Sequence, residues 1–212
     1  IMKIGLPAGM QSVIFNISNV LIQSSINSFG AVAVAGNTAA ANVEGFVYIS
    51  MNSLYQTTLS FTSQNLGAKQ YRRVDGILVR CMILVILIGV VLGQGAYRLG
   101  DPLLHIYSQD PEVIAYGIQR FSVVSVTYFL CGMMDVGSGV VRGLGYSIMP
   151  MLVSMVGACV FRVIWVYTIF AHYHTIPSLY LLYAFSWTIT AAAEIVYFLH
   201  CFRKLRLVPE TV

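Results

Sequence analysis

Charged residues are scarce in this sequence, and their scarcity excludes most classes of soluble protein. Asp, Glu, Lys and Arg together make up 9% of the 212 residues, whereas a soluble domain carries about 25%. Hydrophobic residues make up 58%, and the mean hydropathy is +0.77. This composition predicts an all-α polytopic membrane protein, because a helix satisfies its own backbone hydrogen bonds inside lipid.

Several functional patterns are also missing. The four cysteines show no C-x-x-C spacing, which indicates neither disulfides nor a zinc site. The sequence contains no H-E-x-x-H and no G-x-S-x-G motif, so an intramembrane enzyme is not favoured. The net charge of +4 comes from short connections and the tail, which indicates membrane topology rather than nucleic-acid binding. The chain starts at Ile1 without a signal-peptide pattern, and we expect it to be part of a longer protein.

The first apolar segment carries one narrow polar line. No charge occurs between Lys3 and Glu44, and about 20 apolar residues suffice to cross a bilayer. Within this segment five polar residues recur at steps of three and four, which places them on one helical face. Such a face either bonds to neighbouring helices or lines a polar cavity. The five are Ser12, Asn16, Asn19, Gln23 and Asn27.

Six membrane spans follow from the apolar runs and their breaks. We predict a further segment, residues 68–80, to lie on the cytoplasmic membrane surface, because basic and apolar residues alternate in it. Asp110-Pro111-Glu112 is a good helix start, since Asp can cap the first amides and Pro suits the first turn. The predicted spans are residues 4–29, 38–66, 81–97, 111–141, 149–171 and 179–202.

Basic residues in the connections predict the orientation. Lys3, the cluster from Lys69 to Arg80, Arg142 and the tail from Arg203 to Arg206 fall on one side. Only Arg98 falls on the other. The positive-inside rule therefore predicts that both ends of this segment are cytoplasmic. The membrane is expected to be the plasma membrane, which is the inner membrane of a bacterium.

Ionisable side chains inside the spans are the leading candidates for function, because each costs about 2.5 to 3.5 kcal/mol to insert. Glu44 shares a face of the second span with Tyr48, and Asp135 shares one of the fourth span with Tyr128. The alternative for both carboxylates is a structural pair with Arg120 or Arg162. Arg120 and Glu194 are weaker candidates for binding. The other candidate residues are Asn16, Asn19, Gln23 and Asn52, and the tyrosines are candidates because their ring faces can hold a cation.

Four motifs together resemble the carboxyl-terminal half of a multidrug and toxic compound extrusion (MATE) transporter. They are Gly5-Leu-Pro7-Ala-Gly, Phe29-Gly30 with small residues behind it, Ser63-Gln64-Asn65-Leu-Gly67-Ala68, and Val141-Arg142-Gly143-Leu-Gly145 with Pro150. The resemblance covers nearly the whole chain. It implies one six-helix lobe of a twelve-helix transporter, with an amino-terminal lobe as partner and the lipid bilayer around both.

The resemblance also implies a function and a cation site. Members of the family expel organic cations in exchange for Na⁺ or H⁺, with no cofactor. Several branches place an acid on the first span of this half and an aspartate on the fourth. Here the polar residues of the first span are only amides and hydroxyls, and Glu44 on the second span is the candidate to replace the missing acid. Asp135 on the fourth span lies nearer to the Arg142-Gly143 motif than the aspartate of those branches does. A bound Na⁺ would lie near Asp135.

Three other functions remain as alternatives. A lipid-linked oligosaccharide flippase has a similar architecture, and two arginines inside the spans, Arg120 and Arg162, keep it open. Its cargo is anionic, whereas the first two spans here carry Glu44 and amides. A receptor or a purely structural helical bundle predicts no substrate-dependent ion flux.

Overall fold

The computed structural model describes the backbone of residues 2–206 and the side chains of residues 9–202. Within these residues the chain is helical and contains no strand. The side chains of the predicted Gly5-Leu-Pro7 motif and of the basic tail from Arg203 to Arg206 lie outside the described residues. The fold class predicted from composition, an all-α membrane protein, is confirmed.

Nine α-helices follow one another in the described part of the chain, and three short π-helical turns interrupt or extend them. The π-helical turns are Phe121–Ser125, Met155–Val160 and Val166–Phe170. The helices are α1 (Met2–Asn27), α2 (Ala31–Gly67), α3 (Arg72–Arg98), α4 (Gly100–His105), α5 (Pro111–Arg120), α6 (Tyr128–Gly143), α7 (Ile148–Ser154), α8 (Phe161–Trp165) and α9 (Ile176–Arg206).

Two helices, α2 and α3, begin well before the predicted spans. α2 begins at Ala31, directly after Gly30, whose φ of 94° lets the chain reverse in three residues. α3 begins at Arg72, inside the segment predicted to lie on the membrane surface, and continues unbroken to Arg98. A segment in which basic and apolar residues alternate can form the first turns of a membrane-spanning helix, and not only a separate helix on the membrane surface. This is possible because long basic side chains reach back to water.

The fourth predicted span is a bent pair of helices. The Asp110 side chain accepts a hydrogen bond of 2.9 Å from the Glu112 amide, which confirms the predicted helix start. α5 continues through the π-helical turn Phe121–Ser125 and then meets α6 at an angle of 44°. The bend falls at Val126 and Thr127.

α6 lies at the centre of the fold, where it packs against α2, α3 and α9. Glycines allow these close approaches. A Cβ at Gly139 would lie 3.0 Å from the Tyr55 ring, and one at Gly143 would lie 2.6 Å from the Thr62 Cβ. On α3, a Cβ at Gly89 would lie 2.7 Å from the Phe129 Cα. Small residues at such contacts let backbones approach, as helices in membranes commonly do.

Three described helical segments are long and apolar enough to cross a membrane, and the bent pair counts as a fourth if it is one span. They are Arg72–Arg98, Ile148–Phe170 and Ile176–Phe202, with Pro111–Ser125 and Tyr128–Gly143 as the pair. The chain is therefore a polytopic membrane protein. α1 and α2 carry the polar faces described above, and their crossing of the membrane stays a prediction.

Candidate functional site

A cavity of about 780 Å³ opens along the polar face of α1. Its walls come from α1, α2, α6 and α9, with Arg120 at the end of α5 and Arg162 on α8. The volume is in the range of sites for small organic molecules. Four members of the predicted α1 line, Ser12, Asn16, Asn19 and Gln23, lie on this wall, so the face contributes to a cavity and not to helix packing alone.

The structure brings most of the predicted site residues to this cavity. The two outside its described lining are Glu44, which lies behind Arg120, and Glu194. Asn27, the last residue of the polar line, is also outside the lining and accepts a hydrogen bond from Gln23. The predicted site residues that line the cavity are Asn16, Asn19, Gln23, Tyr48, Asn52, Arg120, Tyr128 and Asp135.

One face of α6 forms a whole wall of the cavity. The spacing of three and four residues predicts a single face, and all five residues with that spacing line the cavity. The face runs from the bend at the start of α6 to its last turn. Its residues are Tyr128, Cys131, Asp135, Ser138 and Arg142.

Glu44 and Arg120 form a buried ion pair beside the cavity. Arg120 donates to Glu44 Oε2 through Nε at 3.0 Å and through Nη2 at 2.6 Å. The Ser125 hydroxyl donates to Glu44 Oε1 at 3.0 Å. Both carboxylate oxygens therefore have partners. This is the structural pairing that the sequence leaves as the alternative for Glu44.

Asn37 extends this pair across four helices. Its Oδ1 accepts hydrogen bonds from Arg120 Nη1 at 2.7 Å and from the Tyr180 hydroxyl at 3.2 Å. Its amide donates to Gln23 Oε1 on α1 at 3.3 Å. Because α1, α2, α5 and α9 each contribute a partner, this network holds the helices together at one end of the cavity.

Asp135 has a different environment. Its Oδ2 is buried and has no hydrogen-bond partner among the described residues. Arg142, about two turns further along α6, interacts with it electrostatically but bonds instead to the Tyr55 hydroxyl at 3.1 Å and to Gln11. A cavity-wall carboxylate with a free acceptor is suited to binding a cation or a proton.

Arg162 is the third arginine on the wall. It is 2% exposed, and it donates to Ser186 Oγ at 3.3 Å and to Asn19 Oδ1 at 3.4 Å. Its guanidinium carbon lies 4.8 Å from the centre of the Tyr183 ring. Arg120 lies 5.5 Å from the same ring, so Tyr183 lies beside both guanidinium groups.

A model of the MatE family matches residues 7–168, about three quarters of the sequence. The chain belongs to this family. The resemblance to MATE transporters that the motifs indicate is therefore confirmed, and with it the class of membrane transport protein.

Curated relatives carry names of the same kind. Residues of this chain are 24% identical, over 158 positions, to the probable multidrug resistance protein NorM of Thermotoga maritima. They are 23% identical over 162 positions to the probable multidrug resistance protein YpnP of Bacillus subtilis. The two alignments cover 74% and 76% of this chain but 34% and 36% of the relatives. The chain thus spans about a third of the length of these relatives.

The fold agrees with solved MATE structures. The Vibrio cholerae transporter VcmN in its bent form superposes with a TM-score of 0.88 at 18% identity. The superposition covers 97% of this chain and 47% of VcmN. At this identity the likeness establishes the fold, and the chain accounts for about half of a MATE structure.

Glu194 lies behind the cavity wall of this MATE chain. The side chain is fully buried, and its Cβ would be 3.1 Å from a Cβ added at Gly137 of α6. Neither carboxyl oxygen meets the geometry of a hydrogen bond among the described residues, although the Ser154 hydroxyl and the Arg142 charge lie near enough to interact with it. Glu194 therefore contacts the packed interior rather than the cavity.

Sequence reasoning missed several residues that line the cavity. Gln11 lies one position before the polar line, at the edge of that helical face, so the spacing of three and four residues does not include it. Asn37 lies in the small-residue connection between the first two predicted spans, whereas in the structure it is inside α2. Arg142 lies on the α6 face that the spacing predicts, although the sequence does not mark it as a site residue. Arg162 is a charge inside an apolar run, and only packing shows that it faces the same cavity as Asp135.

Proposed function

We propose that this chain forms one lobe of an antiporter that expels organic cations in exchange for Na⁺ or H⁺. The cavity would form half of a central site, and a second lobe in the rest of the transporter would supply the other half. Movement of one lobe against the other would then open the site to each side in turn. The proposed location is the plasma membrane, with both ends of this segment in the cytoplasm.

The observation that carries the proposal is Asp135 with its unpartnered oxygen on the wall of a polar cavity. Tyr48 and Tyr128 line the same cavity and offer ring faces to an organic cation, each contact contributing about 0.5 to 2 kcal/mol. One carboxylate cannot hold a coupling ion and a cationic substrate at once. Competition for Asp135 would therefore couple entry of the ion to release of the substrate.

The coupling ion would find oxygen ligands on this wall. Among the described side chains, no three His, Cys, Asp or Glu groups converge on one point. A Na⁺ ion would therefore combine the Asp135 carboxylate with uncharged oxygens, such as the hydroxyl of Ser138 and the amide of Asn16, which line the same cavity. A proton would need Asp135 alone.

The family match favours this function over a lipid-linked oligosaccharide flippase, since the relatives are named as multidrug resistance proteins. Arg120 and Arg162 are the residues that support the flippase alternative, but they are not both available to bind an anionic cargo. Arg120 is neutralised by Glu44 through two hydrogen bonds.

The test is Asp135→Asn in the complete transporter, which removes the charge and little volume. Efflux of ethidium from proteoliposomes, driven by an imposed Na⁺ or pH gradient, should fall about tenfold or more, as expected for loss of one charge-assisted contact. The matched control is Asp101→Asn, a carboxylate with a side chain 65% exposed. Wild-type efflux by Asp135→Asn under both gradients would overturn the role of this lobe in coupling.

A further inference from the structure

Arg162 carries a charge on the cavity wall that no acid among the described residues pairs with. Arg120 pairs with Glu44, and Arg142 interacts electrostatically with Asp135 and Glu194. Arg162 forms no ion pair within residues 9–202, although it is 2% exposed. A buried guanidinium without a counter-charge is costly, and such groups persist in membranes where they have a function.

The immediate partners of Arg162 are neutral and distant. The described bonds use Nε and Nη1, at 3.3 Å to Ser186 and 3.4 Å to Asn19, which are long for such bonds. No described residue bonds to Nη2. The Tyr183 ring lies beside the guanidinium at 4.8 Å and occupies its face, so the N–H edge is left for a further acceptor.

The cavity provides room for that acceptor, since Arg162, its hydrogen-bond partner Asn19 and the neighbouring Tyr183 ring all belong to the lining. A carboxylate matches the guanidinium edge, because two of its oxygens can accept two parallel N–H bonds. A neutral acceptor would leave the charge unbalanced.

We propose that Arg162 forms a subsite for a carboxylate group of the transported molecule. The proposal rests on the proposed function for the existence of a transported cation, and it narrows the substrate class to zwitterions. The cationic part of the molecule binds at Asp135 and its carboxylate binds at Arg162, so the wall and the ligand balance each other's charges.

The test uses two dyes that differ in one charge. One is a rhodamine with a free carboxylate, and the other is the methyl ester of the same dye. Both carry the cationic ring system, so only the acid can use Arg162. Binding is measured by fluorescence polarisation with the purified complete transporter, as wild type, Arg162→Gln and the control Arg98→Gln, an exposed arginine at the end of α3.

In Arg162→Gln the Kd of the acid relative to that of the ester should rise about tenfold, and in Arg98→Gln it should not change. An unchanged ratio in Arg162→Gln, or an equal loss for both dyes, would overturn the subsite. If Arg162→Gln does not fold, Arg162→Lys takes its place. Lysine retains the charge without the paired donors, so the ratio should rise above the wild-type value by less than tenfold. An unchanged ratio in Arg162→Lys would also overturn it.

A wild-type experiment needs no variant. An excess of potassium benzoate in sodium-free buffer, compared with potassium chloride at the same concentration, should displace the acid dye and leave the ester bound, whereas equal displacement of both or of neither contradicts the proposal. Transport separates this inference from the proposed function. If no ion gradient drives either dye while the acid dye still depends on Arg162, the antiport function fails and the subsite stands.

Discussion

Glu44 and Arg120 are both buried, at 2% and 8% exposure, and they bond across 76 residues of sequence. Moving two ions out of water is unfavourable unless each finds several hydrogen bonds. Here Glu44 accepts from Arg120 and Ser125, and Arg120 also donates to Asn37. The geometry is complete on both sides, so removal of one partner leaves a buried charge without compensation.

Glu44→Gln should therefore destabilise the complete transporter by about 3 to 5 kcal/mol, the usual cost of breaking a buried pair from one side. The midpoint of thermal unfolding in detergent measures the effect. Glu112→Gln is the control, since Glu112 is exposed in the first turn of α5. Replacing both charges, as Glu44→Gln with Arg120→Met, should recover much of the loss.

An unfolding midpoint of Glu44→Gln equal to that of Glu112→Gln would show that the pair is not structural. In that case Glu44 would return to the group of coupling candidates beside Asp135.

The break between α5 and α6 separates two charged residues of one predicted span, Arg120 and Asp135, into different surroundings. A π-helical turn, Phe121–Ser125, precedes the break, and the Thr127 hydroxyl bonds back to the Val123 carbonyl at 2.7 Å. Such turns and back-bonding hydroxyls bend helices and are frequent at functional sites. Arg120, before the bend, joins the ion-pair network, while Asp135, after it, faces the cavity.

α3 packs closely against this bend, and the contact at Gly93 predicts how a larger side chain there would affect stability. A Cβ at Gly93 would overlap the backbone oxygen of Ser125, and neither backbone can move easily. Gly93→Ala should therefore destabilise the protein by about 1 to 3 kcal/mol. Gly95→Ala is a matched control two residues away, where an added Cβ meets no atom within 4 Å.

Thermal unfolding of both variants in the complete transporter provides the measurement. Equal midpoints for Gly93→Ala and Gly95→Ala would mean that α3 can withdraw from the bend without cost, contrary to the packing described here.

At the scale of the whole molecule, the orientation of the chain in the membrane can be tested at two loops. Gln70 and Gln109 are both exposed, and the distribution of Lys and Arg predicts that they lie on opposite sides of the membrane. In intact cells a membrane-impermeant thiol reagent should label Gln109→Cys and not Gln70→Cys. The four native cysteines are buried and free, which keeps the background low.

Permeabilised cells are the control for this experiment, because both cysteines should then react. Labelling of Gln70→Cys but not of Gln109→Cys in intact cells would reverse the proposed orientation.

The sequence by itself determined the membrane class and the polar faces. Helical periodicity is a local property, so steps of three and four residues predict which side chains share a face before any packing is known. This holds for Ser12, Asn16, Asn19 and Gln23 on α1, and for the α6 face from Tyr128 to Arg142. The family motifs were readable for the same reason, since each is a short local pattern.

Only the tertiary structure decided which charges pair and which remain free. Apart from the family resemblance, which favours Asp135, the sequence left Glu44 and Asp135 equal candidates, as two carboxylates in apolar spans. Packing gave Glu44 two partners from beyond the next helix and left one oxygen of Asp135 without any among residues 9–202. The same packing placed Arg162 on the cavity wall with no acid paired to it in that part of the chain. Ion pairs between distant residues depend on how whole helices meet, and no local pattern in the sequence contains that information.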